Sequence, residues 1–169
     1  MLLYHGSNIT INNPQLVEQR HGLDFGPGFY LTTSEEQSAR FSEIVVKRKK
    51  CGAATVSIYN FDMAAAEKTL AVRKFSGADI EWLQFVVENR LKMCRENNFD
   101  VVIGAVANDA VMPTIQAYIS GFINEEATLI TLKVSKLVDQ ICLKTEKALS
   151  LLNFIKSYEV NFTEGSTDG

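Results

Sequence analysis

Asp24-Phe25-Gly26-Pro27-Gly28-Phe29-Tyr30-Leu31-Thr32 is a glycine turn running into an aromatic strand, and an opening strand reading Leu3-Tyr4-His5-Gly6-Ser7 precedes it. Glycines on either side of Pro27 allow a sharp bend and the close approach of a flat ligand. From Phe29 onward the side chains alternate, Phe29 and Leu31 on one face, Tyr30 and Thr32 on the other. If the first pair fills the core, Tyr30 is left to stack on a flat ring. His5 ends the opening strand beside Gly6 and Ser7, where an imidazole nitrogen can hydrogen-bond a sugar hydroxyl. A histidine ending one strand and a tyrosine on a second can therefore face one cleft.

Working outward, Asn8 to Gly22 reads as a loop, and isolated His21 as an exposed residue within it. Thr33-Ser34-Glu35-Glu36 is a capping signal, and Phe41, Ile44 and Val45 predict the apolar stripe of a helix ending near Arg48. Ala54 to Tyr59 and Leu70 to Phe75 read as strands. Ile80, Leu83, Val87, Leu91 and Cys94 recur at three- and four-residue intervals and predict a scaffold helix over 79–97. Val101 to Ala105 is an apolar strand ending at the Asn108-Asp109 turn, followed by helices over 113–120 and 125–132. Ile141 to Leu143, a helix over 146–152 capped by Thr145, and a strand over 154–160 close the chain. Short mixed strands and helices without regular alternation predict an α+β fold, with one domain over residues 1–162 and a disordered tail over 163–169.

The His-Gly-Ser and Phe-Gly-Pro-Gly-Phe-Tyr motifs, in this order, resemble the ADP-ribosyltransferase superfamily, in its diphtheria-toxin and poly(ADP-ribose)-polymerase branch. The resemblance runs in motif order from His5 to Val160 and implies a split β-sheet core with flanking helices and an NAD cleft. It implies NAD as the substrate, His5 holding the adenosine ribose, the Gly6 backbone holding the nicotinamide carboxamide, Ser7 supporting them, and Tyr30 stacking on nicotinamide. Gly28 belongs to the same turn. In that branch a glutamate opens a late strand, and the matching position in Asp139-Gln140-Ile141-Cys142-Leu143 is Gln140. Glycosidic cleavage passes through a cation-like sugar, which a carboxylate stabilises by charge while gripping the ribose 2'-hydroxyl. An amide can only grip. Gln140 therefore favours single transfer over chain elongation, and a glutamate placed at that position is expected to preserve or raise NAD hydrolysis.

The implied activity is transfer of one ADP-ribose from NAD to a protein or nucleic acid, with release of nicotinamide. Small bacterial members of the superfamily act as toxins or modifiers, which implies an inhibitory protein partner. The competing reading is an inactive module of the same fold that binds NAD, ADP-ribose or a protein. Glu146 is the other candidate for the carboxylate role, although it stands in the first turn of a helix, where a carboxylate is favoured by the helix dipole alone. Asn108 and Asp109 are candidates for ligand contact, although an Asx turn or helix cap explains them more directly. Asp24 and Arg20 lead into the glycine turn, within reach of a diphosphate or a target.

Bulk properties narrow the classes further. The chain has 169 residues, 46% hydrophobic, and a formal net charge of -3. That balance argues against nucleic-acid binding by bulk electrostatics and leaves Lys47-Arg48-Lys49-Lys50 as a local basic run, readily explained as a solvated helix end. Cys51, Cys94 and Cys142 lack metal-ligand spacing and predict reduced thiols in a cytoplasmic protein without a metal. No apolar run approaches the roughly 20 residues of a membrane span.

Overall fold

The computed structural model describes residues 1–16, 22–91, 98–108, 110–133 and 137–161. In chain order the elements are β1 (Leu2–Ser7), β2 (Phe29–Leu31), α1 (Glu35–Lys49), β3 (Thr55–Phe61), α2 (Met63–Thr69), β4 (Val72–Lys74), α3 (Ile80–Arg90), β5 (Val101–Ala105), α4 (Met112–Ile119), α5 (Glu125–Lys133), β6 (Asp139–Leu143), α6 (Glu146–Leu149) and β7 (Leu152–Glu159). Mixed α+β architecture is thus observed. The strands form two sheets, one ordered β1-β3-β7 and the other β2-β6-β5-β4. Every pairing is antiparallel except β4 with β5.

Strand alternation in the four-stranded sheet builds two cores. Val101 and Ile103 of β5 and Ile141 and Leu143 of β6 face the first, with Leu3, Phe29, Leu31, Tyr59 and Phe61. Val102 and Cys142 point the other way, into a second core with Phe25, Trp82, Leu83, Val86 and Ile115, beneath α3, α4 and α5. Side chains two residues apart share a face, so one sheet serves both cores. The expected inward pair, Phe29 and Leu31, is indeed buried.

Helix α1 corrects the predicted stripe. Ser34 caps it, its hydroxyl accepting from the Gln37 amide at 3.2 Å, as the capping signal implies. Yet Phe41 and Ile44 are exposed, and the buried positions are Ser38 and Ser42. The reason lies in β1: a methyl group on Gly6 would stand 2.1 Å from the Ser38 carbonyl oxygen and 2.9 Å from the Ser42 nitrogen. Glycine on the strand and serines on the helix let the two backbones close to near contact, and the larger side chains are turned to the rim.

Other boundaries shift for local reasons. Helix α2 has no counterpart among the expected elements; Asp62 caps it by accepting from the Ala65 amide at 3.0 Å, and an alanine run favours it. Helix α6 ends at Leu149, and β7 starts at Leu152 rather than 154. The buried face of α3 is centred on Trp82, Leu83 and Val86, whereas Leu91 is exposed. Cys94, the end of the predicted 79–97 helix and the tail over 163–169 lie outside the described residues, as do Arg20, His21 and Asp109.

Candidate active site

Among the described residues the two sheets meet by a single β-bridge, Tyr4 with Thr32, in which Tyr4 N donates to Thr32 O at 2.9 Å and Thr32 N to Tyr4 O at 3.0 Å. One residue later the ladder stops. His5 inserts its ring instead, Nδ1 lying 2.8 Å from the Tyr30 carbonyl oxygen. A cavity of about 390 Å³ opens at this split, lined by His5, Gly6, Asp24, Tyr30, Arg90 and Gln140 among others. Residues from both ends of the chain thus converge on one space.

The chemistry of His5 follows from its partner. A carbonyl oxygen only accepts, so Nδ1 carries the proton and Nε2 keeps a lone pair. The ring stacks on Phe29, centroids 4.5 Å apart. Burial holds its pKa below the ordinary imidazole value of 6.5; the Tyr30 hydrogen bond opposes this and the Lys49 charge reinforces it. Since the folded state holds the neutral form, the unfolded chain binds more protons below pH 6.5, and stability must fall as pH drops through that window. Melting temperatures of wild type and His5→Gln between about pH 7.5 and 5.5 check this: the wild type is expected to lose more. Equal losses would remove the neutral imidazole.

Tyr30 is held more firmly than the alternation implies. Its hydroxyl donates to the Gly26 carbonyl at 2.6 Å and accepts from the Phe25 amide at 3.1 Å. Burial is the main cause pushing its pKa far above the usual tyrosine range, so it acts as a fixed ring and not as an acid or base. The turn beneath is pinned by Lys144, whose Nζ donates to the Phe25 and Pro27 carbonyls at 2.5 and 3.0 Å. Gly26 adopts a left-handed φ of 73°, while Gly28 is required by packing, a methyl there standing 2.4 Å from Cys142 Sγ.

Gln140 and Asp24 form the polar floor. The carboxylate of Asp24 accepts at Oδ1 from Arg90 Nε at 2.9 Å and Nη2 at 2.5 Å, and at Oδ2 from the Ala107 amide at 2.9 Å and Gln140 Nε2 at 2.8 Å. Gln140 Nε2 also lies 3.4 Å from the Ala105 carbonyl. Both partners of that nitrogen are acceptors, so the amide orientation is fixed by chemistry. The neighbouring Asp139 carboxylate is taken up by Thr33, from its amide at 3.1 Å and its hydroxyl at 2.7 Å, which pins the start of β6.

Of the residues expected at the site, His5, Gly6, Tyr30 and Gln140 therefore line one cavity. Ser7 is buried within β1 and Gly28 packs under β6; neither lines it. Asn108 makes an Asx turn, its Oδ1 accepting from the Ala110 amide at 3.1 Å, and also stands outside the lining. Glu146 is exposed in the first turn of α6, away from the cavity. Arg90 joins the lining without any signal in the sequence, because nothing local distinguishes it from any basic residue at a helix end. No group of three or more potential metal ligands occurs among the described residues, and no described helix is long and apolar enough to cross a membrane.

Residues 1–154 match a family described as protein of unknown function, DUF3990. The chain belongs to the DUF3990 family. The match spans all four cavity residues anticipated from sequence, together with Asp24 and Arg90. No curated protein and no solved structure matches the chain.

Proposed function

We propose that this DUF3990 protein is a mono-ADP-ribosyltransferase with an ADP-ribosyltransferase-like split-sheet fold, using NAD as its substrate and a protein or nucleic acid as acceptor. The observation that carries the reading is the convergence of His5, Gly6, Tyr30 and Gln140 on one cavity at the split between the sheets. Small-molecule sites occupy roughly 300–1,000 Å³. At about 390 Å³ this cavity suits one nucleoside half of a dinucleotide, with the remainder along the surface. The Nε2 lone pair of His5 takes a ribose hydroxyl, the Tyr30 ring meets nicotinamide, and the Gln140 amide oxygen grips the reacting ribose. Arg90 is the only lysine or arginine among the described lining residues; its charge is shared with Asp24, and a diphosphate would compete with that carboxylate for it.

A second reading, a binding module without turnover, is favoured by one feature: the cavity carboxylate of Asp24 is already engaged by four donors and cannot take a proton from an acceptor. Titration with NAD tests what the two readings share. Saturable binding is expected, weakened about tenfold or more in both His5→Ala and Tyr30→Ala, with each variant shown to be folded by circular dichroism; a well-placed polar or ring contact contributes about 1 kcal/mol or more. Equal affinity in all three proteins would remove NAD from this cavity.

A further inference from the structure

We propose that Asp24 is the positioning residue of the site: its carboxylate fixes the direction of the Gln140 amide, so that acid and amide act as one unit with the acid at 24 and the amide at 140. The proposal rests on the transferase reading of the cavity and explains how a neutral side chain serves there.

Asp24 is buried, yet it reaches three segments distant in sequence: the end of α3 through Arg90, the loop after β5 through Ala107, and β6 through Gln140. All four hydrogen bonds run toward it, the arrangement that suits a carboxylate. Filled in this way, it has no lone pair with which to act as a base. What it controls is Gln140. Nε2 is drawn to Asp24 at 2.8 Å and to the Ala105 carbonyl at 3.4 Å, and no described residue donates to Oε1. The cavity is therefore presented with the negative end of the amide dipole, backed by a carboxylate. Developing positive charge on a sugar is stabilised by that direction and opposed by the reverse one.

The same geometry argues against the expectation that a glutamate at position 140 preserves or raises hydrolysis. Gln140→Glu replaces the donor facing Asp24 with an acceptor and sets two carboxyl groups against each other, a pairing that resists double ionisation. Asp24→Asn frees the Gln140 amide to reverse. The double variant Asp24→Asn/Gln140→Glu restores the contact between the two side chains at the cost of the Ala107 amide, which loses its acceptor: the introduced asparagine keeps its oxygen toward Arg90 and donates its amide to the introduced glutamate, which now brings the carboxylate to the cavity.

The test is a double-mutant cycle read in two ways. In nicotinamide release from NAD, Gln140→Glu is expected to lose on the order of 10² in kcat, a single misdirected electrostatic contact. Asp24→Asn is expected to lose about tenfold in kcat with little change in KM, and the double variant to recover at least about tenfold over Gln140→Glu. Losses that simply multiply would overturn the proposal. The second readout needs no activity: in ¹³C,¹⁵N-labelled wild type without NAD, the Gln140 side-chain NH₂ signal, assigned by through-bond correlation to its own backbone, is expected to be displaced from free-glutamine positions and slow to exchange. A freely exchanging signal at the free position overturns the proposal even if every variant fails to fold. Absence of nicotinamide release by the wild type would count against the transferase reading, leaving the amide signal to judge Asp24.

Discussion

Gly6→Ala is expected to destabilise the protein by about 3 kcal/mol or more, lowering the melting temperature by about 10 °C, because the added methyl meets main-chain atoms of α1. The Ser38 carbonyl oxygen would stand 2.1 Å away and the Ser42 nitrogen 2.9 Å away, so the helix must leave the strand to make room. Since the clash is with backbone, trimming Ser38 to glycine does not relieve it. Gly77→Ala is the control: nothing lies within 4 Å of a methyl at that position. A change under about 1 kcal/mol is expected there. Thermal melts of wild type and the two variants check the contrast. A mild Gly6→Ala would mean that α1 does not sit on β1 at backbone distance, and that the cavity wall above His5 is built differently.

Arg90→Met carries the second large effect. It keeps the aliphatic stem and deletes both hydrogen bonds to Asp24 Oδ1, leaving a carboxylate only 6% exposed without its cation. Removing one partner of a buried pair costs about 3–5 kcal/mol. The Arg90 side chain is 20% exposed, so about 3 kcal/mol is expected, equivalent to roughly 6–12 °C in melting temperature. Arg90→Lys should recover only part of this, since a single ammonium cannot reproduce the two-pronged contact. Full stability in Arg90→Met, measured by chemical denaturation, would show that Asp24 is not held by this pair.

The contrast between these two residues marks what is legible in the sequence. The Phe29–Leu31 strand is readable because alternation and glycine turns are local properties, whereas β1 does not end at His5 but runs on to Ser7, with Gly6 and Ser7 still paired to β3. The capping of α1 by Ser34 and the Asx turn at Asn108 are readable for the same reason. The buried face of α1 is not: apolar periodicity favours Phe41 and Ile44, and only the contact with Gly6 makes Ser38 and Ser42 the inner face. Gly6 itself reads as an opening for a ligand, whereas the helix alone is sufficient reason for a glycine there.

The polar floor shows the same limit more sharply. Gln140 is found by its place at the start of a late strand, but its direction depends on Asp24, 116 residues away in the chain. In the sequence Asp24 stands out only as a charge near the glycine turn. Nothing in its neighbourhood announces that α3, the loop after β5 and β6 all donate to it, since that follows from how the second core stacks α3 on the four-stranded sheet. The Gln140 amide is thus accompanied by a carboxylate carried on another segment.

The most direct measurement is release of nicotinamide by the purified wild-type protein from NAD carrying separate labels in its nicotinamide and adenylate halves, incubated with a cell lysate. Nicotinamide is expected to be freed while the adenylate label enters the macromolecular fraction, and both events are expected to be lost in Tyr30→Ala. Saturable NAD binding with no nicotinamide freed and no label transferred would contradict it, and would leave the cavity as a binding site alone.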